Sequence, residues 1–129
     1  MNQINSKIIP ISLSLRLVTV FIIKGTRSVL VDTGYPGSER MILRKMIHSG
    51  IRPEEIGMIL ITHGHTDHFG SAAAFKEKTG AKVAIHKLDA DNLRNGGYGR
   101  LCPTGMIGRL LLSFISDKPD KNVRGLEPE

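Results

Sequence analysis

Apolar residues along the chain fall into short runs separated by turn-forming residues, and the runs follow two different periods. Ile8 to Ser14 and Leu17 to Ile23 are mostly apolar and predict two strands. Lys24-Gly25-Thr26-Arg27 supplies a hairpin turn into a third strand, Ser28 to Val31. Tyr35-Pro36-Gly37 breaks the pattern. Ser38 is placed to cap a helix that runs through His48 and stops at Gly50, with Met41, Ile42, Met46 and Ile47 on its apolar face. Arg52-Pro53-Glu54-Glu55-Ile56 forms a short capped turn. Met58 to Ile61 predicts a buried strand, Phe69 to Thr79 a helix closed by Gly80, and Lys82 to His86 another strand. Beyond Lys87 the signals weaken. Asp89 to Arg94 predicts one or two helical turns, and Asn95 to Gly99 a flexible break. Met106 to Ile115 predicts a helix that is apolar around most of its circumference and must be buried or dock on a partner. Ser116 to Glu129 is polar and reads as a loop or tail. An antiparallel opening followed by alternating strands and helices predicts an α/β (α+β) fold, a mixed β-sheet flanked by helices.

One stretch stands apart from this pattern. Thr62-His63-Gly64-His65-Thr66-Asp67-His68 holds three of the five histidines and a carboxylate between a strand and a helix. The carboxyl end of a sheet strand is where open α/β sheets bind ligands. Neutral imidazoles and a carboxylate are the donor set for zinc, iron or manganese. His63 and His65 are two apart on extended backbone and can point to one side. Gly64 between them lets the chain turn tightly. Asp67 and His68 are adjacent and are expected to point in different directions. The spacing therefore suggests two neighbouring ions, one on His63 and His65 and one on Asp67 and His68. His48 lies in the last turn of its helix, where the dipole favours a cation, and is read as structural. His86 ends a strand and is not assigned as a ligand.

The run His63-x-His65-x-Asp67-His68 after an apolar strand resembles the HxHxDH signature of the metallo-β-lactamase fold hydrolases. Asp32-Thr33-Gly34, closing the strand Ser28 to Val31, resembles that family's second landmark. The resemblance extends from about Ile8 to Asp91 and then fades. It implies a sandwich of two mixed sheets between helices, αβ/βα, of which this chain covers the first half. It implies two zinc ions, or iron or manganese, with His63 and His65 on the first and Asp67 and His68 on the second. Asp67 would be the catalytic carboxylate, and Asp32 would hold the ligand loop in shape. The activity implied is attack of metal-activated water on a thioester, ester or lactone, in the manner of hydroxyacylglutathione hydrolases. The family's later ligands are a His in a Gly-His-(Ser/Thr)-x-Gly turn, a bridging Asp and a final His. No histidine follows His86, and Asp89, Asp91, Asp117 and Asp120 close no recognisable strand. The chain therefore reads as one truncated domain, with a core over 8–91 and a variable helical insertion and tail over 92–129.

Composition narrows the partners. The net charge is +6, but the basic residues are scattered singly and not interleaved with aromatics, so a nucleic-acid partner is not expected. A single cysteine, Cys102, cannot form an internal disulfide and fits a cytoplasmic, reducing location. Pro10, Ser12, Ser14 and Arg16 interrupt the N-terminal apolar stretch, which argues against a signal peptide or a membrane span. The expected partners are a small-molecule substrate and either a second copy or another chain that completes the fold. Two other readings stay open: an inactive metal-binding fragment, and an amidohydrolase barrel, which needs a longer chain.

Overall fold

The computed structural model describes residues 7–13, 17–97, 105–114 and 124–129. Five strands form one sheet in chain order: β1 (Lys7–Leu13), β2 (Val18–Lys24), β3 (Ser28–Val31), β4 (Ile56–Leu60) and β5 (Lys82–Ala84). The pairs β1–β2 and β2–β3 are antiparallel, and β3–β4 and β4–β5 are parallel. The mixed sheet expected from the sequence is thus present. Its parallel half begins where the first helix, α1 (Glu39–His48), provides the crossover that parallel strands require.

Period-two alternation sets which face is buried. Ile11, Leu13, Val20, Ile22, Leu30 and Ile59 point into a core with Ile42 and Met46 of α1. Phe75 of α3 (Ala72–Thr79) closes that core. The opposite sheet face is also apolar, yet Phe21, Met58 and Leu60 there are each about 40% exposed. Burying one such side chain is worth roughly 1.5–3 kcal/mol, so this face is suited to a further layer.

Three elements depart from the sequence-based expectations. The helix predicted over Phe69–Thr79 starts only at Ala72, as α3, and a separate helical turn, α2 (Thr66–Phe69), forms from the ligand loop before it, with a break at Gly70 and Ser71. The break has a steric and a polar cause. A Cβ built at Gly70 would lie 2.4 Å from Pro36 N, so this turn is pressed onto the Tyr35-Pro36 loop. Ser71 Oγ donates to the Tyr35 carbonyl at 2.7 Å and accepts the Ser38 N–H at 3.0 Å. Ser38 accordingly does not cap α1 with its side chain. The strand predicted to His86 stops at Ala84. His86 instead turns back, its Nδ1 accepting the Leu88 N–H at 3.3 Å.

The weak region after Lys87 contains α4 (Ala90–Asn95), capped by a left-handed Gly96 at φ 67°. It also contains α5 (Gly105–Phe114), whose Met106, Ile107 and Leu110 are exposed rather than buried. Cys102, Asp117 and Asp120 lie outside the described residues. Residues 124–129 have no regular structure but are docked, not free. Among the described residues no helix is long and apolar enough to cross a membrane.

Candidate metal centre

The site is built where β3 and β4 end side by side. The strand ladder continues one residue beyond each: Asp32 N–H donates to the Leu60 carbonyl at 2.9 Å, and Ile61 N–H to the Ala84 carbonyl at 2.8 Å. Asp32 then enters the left-handed region at φ 61°, a conformation that costs most side chains energy and that Asp tolerates better than most. Gly34 follows at φ 70°, where a Cβ would also collide with Leu13 Cδ1 at 2.3 Å, so only glycine fits. This reversal turns the Asp32 carboxylate back towards the loop after β4.

That carboxylate, only 4% exposed, is a hub. Its Oδ1 accepts the Thr62 backbone N–H at 2.8 Å. Its Oδ2 accepts the Thr62 hydroxyl at 2.8 Å and the His68 ring Nδ1–H at 2.8 Å. A carboxylate only accepts, so His68 carries its proton on Nδ1 and presents a lone pair at Nε2. Thr62 has given its one proton to Asp32, so His63 Nδ1 donates to Thr62 Oγ1 at 3.0 Å and likewise keeps Nε2 as an acceptor. One buried carboxylate thus fixes the tautomers of two histidines. A second anchor comes from Thr33, whose backbone N–H and hydroxyl donate to the His68 carbonyl at 2.7 and 3.1 Å.

The loop and α2 bring the expected donors together. The His63 ring centroid lies 4.6 Å from that of His65 and 4.0 Å from that of His68. Asp67 Oδ2 lies 3.5 Å from His68 Nε2. The expectation that Asp67 and His68 diverge is therefore corrected. The Asp32 bond turns the His68 ring so that its other nitrogen faces Asp67. Burial holds the His63 imidazole below its ordinary value of 6.5, and the neighbouring His68 and His65 add to the effect against the opposing pull of Asp32 and Asp67. A neutral imidazole is the form that binds metal.

Gly64 is explained differently from its sequence reading. Its φ is not in the left-handed region, and the residue is buried. A Cβ there would lie 2.8 Å from Asn92 Nδ2 and 3.1 Å from Asp89 Cβ, so glycine is needed for space. Thr62, Asn92 and Asp89 were not singled out from the sequence as neighbours of the ligand loop. Thr62 adjoins the motif and was within reach of a capping argument. Asn92 lies in a weakly signalled helix, and nothing local points to it. His48 and His86 are both engaged locally; His48 Nδ1 is 2.7 Å from the Arg44 carbonyl.

A family model of the metallo-beta-lactamase superfamily matches residues 14–125. The chain belongs to this superfamily. Metallo-beta-lactamase domain-containing protein 1 of Xenopus laevis is 34% identical over 80 residues, covering 62% of this chain and 32% of that protein. A UPF0173 metal-dependent hydrolase of Thermococcus kodakarensis is 32% identical over 65 residues, covering 49% of this chain and 25% of that protein. Among solved structures, BJP-1, a subclass B3 metallo-beta-lactamase of Bradyrhizobium japonicum, superposes with a TM-score of 0.75 at 25% identity, over 98% of this chain and 42% of that one. The chain thus spans about a third or less of the length of these curated relatives. It is a metallo-beta-lactamase-fold chain related to metal-dependent hydrolases. The residues present fit part of a metal site. His63, His65, Asp67 and His68 supply the donor chemistry, and two Nε2 lone pairs are presented by the Asp32 network. Among the described residues, however, no group of three His, Cys, Asp or Glu side chains forms a complete cage.

Proposed function

We propose that this chain carries half of a two-ion centre of a metal-dependent hydrolase acting on thioesters, esters or lactones. The observation that carries this reading is the Asp32 hub, which orients His68 Nε2 beside Asp67 and keeps His63 Nε2 available. His63 and His65 would hold one zinc ion, and Asp67 and His68 the second. The chemistry that such ions supply when bound is a lowered pKa for water and polarisation of a substrate carbonyl. The chain's own work is to position the donors. Asp32 fixes ring tautomers and orientation, a role whose loss costs metal sites 10–100-fold in affinity as an order of magnitude. Asp67, on the first turn of α2, is the carboxylate we assign to the reacting centre. Two donors per ion leave each coordination sphere open to water or to donors from a partner chain. The cytoplasm is the compartment that this chemistry and the lone Cys102 fit best.

The test is metal content of protein purified without added metal or chelator, followed by hydrolysis assays on thioesters and lactones. About one or more zinc, iron or manganese per chain, with turnover abolished by H63A, supports the proposal. A folded chain that takes up no metal would sink it. A second reading is an inactive metal-binding module, favoured by the absence of a three-donor cage among the described residues. Metal uptake without turnover on any of these substrates would select it.

A further inference from the structure

We propose that α4 is a positioning element for the ligand loop, with Asn92 setting its distance through contact with Gly64. This inference rests on the reading of the loop as a metal site. It starts from the closest packing at that loop. The ideal Cβ position at Gly64 is 2.8 Å from Asn92 Nδ2, 2.9 Å from Asn92 Cβ and 3.1 Å from Asp89 Cβ. Separations under about 3 Å are not tolerated between such atoms, so α4 rests directly on the backbone between His63 and His65.

A helix of six residues cannot hold itself there, and α4 does not have to. Its outer side is fastened by residues 124–129. Leu126 N–H donates to the Leu93 carbonyl at 3.1 Å, and Leu126 packs against the core that includes Leu93. Arg94 makes a two-pronged pair with Glu127, Nε to Oε2 and Nη2 to Oε1, each at 2.8 Å. The same strap is fixed further along. Glu129 N–H donates to the Val83 carbonyl at 2.9 Å, and Glu129 Oε2 accepts the Val83 N–H at 3.0 Å. Lys76 holds the other Glu129 oxygen at 2.8 Å, and Arg124 pairs with Glu77 at 2.6 Å. The strap presses α4 inward, and α4 presses on Gly64. The histidines on either side of Gly64 then stand where the Asp32 network can orient them.

The experiment compares G64A, N92G, the double variant G64A/N92G and E127Q. Amide exchange is read by NMR on metal-free protein at Thr62, His68 and Phe69. These amides are bonded to Asp32 or to the His65 carbonyl. G64A should speed their exchange about tenfold, because overpacking forces the loop and helix apart. G64A/N92G should recover to within about threefold of a protein carrying N92G alone, because the two sites touch and their effects are not additive. E127Q, at an exposed position that leaves the core intact, should speed the same amides about twofold to threefold. Cobalt titration of each variant should rank affinity in the same order. Unchanged exchange in G64A, a double variant no better than G64A, or an E127Q protein with an unaltered loop would each overturn the proposal. If the unmodified chain takes up no cobalt, the metal-site reading fails, while the exchange series still decides whether α4 positions the loop.

Discussion

At their carboxyl ends, β3 and β4 hand over to Asp32 and Thr62, whose side chains are hydrogen-bonded to each other. Asp32 alone accepts from Thr62 N–H, Thr62 O–H and His68 Nδ1–H. At their amino ends the same two strands slip register between Ser28 and Val29. Arg27 lies across Gly57, where a Cβ would meet Arg27 Nε at 2.6 Å. Ser28 Oγ is buried with no hydrogen-bond partner among the described residues, beside an open groove of about 290 Å³. A buried hydroxyl without a partner costs on the order of 1–3 kcal/mol. The amino end tolerates that loss, whereas at the carboxyl end a left-handed aspartate accepts from three donors at once. The contrast marks which end of the sheet must be accurate.

The strongest way to break this contrast is at Asp32. Asn tolerates the left-handed backbone, so D32N isolates the lost acceptor. It should lower stability by about 1–3 kcal/mol in chemical denaturation. Metal affinity should fall by about 10–100-fold in calorimetry. A variant that binds metal as tightly as the parent would show that the hub is structural only.

Added zinc sharpens the contrast next. At a hundred times its dissociation constant it should stabilise the chain by about 2.7 kcal/mol, reversibly with chelator. The gain in amide protection should centre on residues 61–69 and leave residues 27–29 and 56–58 unmoved. Protection spread evenly over both ends would break the comparison. At the amino end, S28A removes the unpartnered hydroxyl. It should raise stability by up to about 1 kcal/mol without changing metal affinity.

The smallest effect concerns the strap. Arg94 holds the Glu127 carboxyl, and Lys76 holds that of Glu129, below the ordinary value of 4.5. Carboxyls depressed by folding contribute stability above the unfolded value and lose it as pH falls through the folded one. Below about pH 4.5, residues 124–129 should therefore loosen before the sheet does, seen as early loss of the Leu126 amide signal. Both groups are exposed, so the change is local.

The strands were legible because their residues alternate or run apolar over a few positions; β3 spans Ser28–Val31 as read, and β1, β2 and β4 differ only at their ends. The helix α1 ends at His48 as read. The broken helix was not legible, because its cause is the distant Tyr35–Ser38 loop meeting Gly70 and Ser71. The ligand residues were legible as a local pattern. Their support was not: Asp32 was expected to shape the loop, but Thr62 as its donor and Asn92 behind Gly64 arise only from chain segments that fold back. The docked tail was hidden for the same reason: Ser116 to Glu129 reads as a polar loop or tail, and the partners of Glu127 and Glu129, Arg94 and Lys76, are distant in sequence.

The order of the sheet has a consequence in time. Each strand bonds to the strand made just before it, the antiparallel pairs across short turns and the parallel pairs across the longer crossovers of residues 32–55 and 61–81, so the sheet is laid down in the order in which it is synthesised. All residues of the Asp32 hub and its histidines have emerged from the ribosome once Phe69 has. At about 5–20 residues per second, the stretch from there to Glu129 takes roughly 3–12 s more. Through that interval the ligand loop is held by the Asp32 contacts, without the strap behind α4.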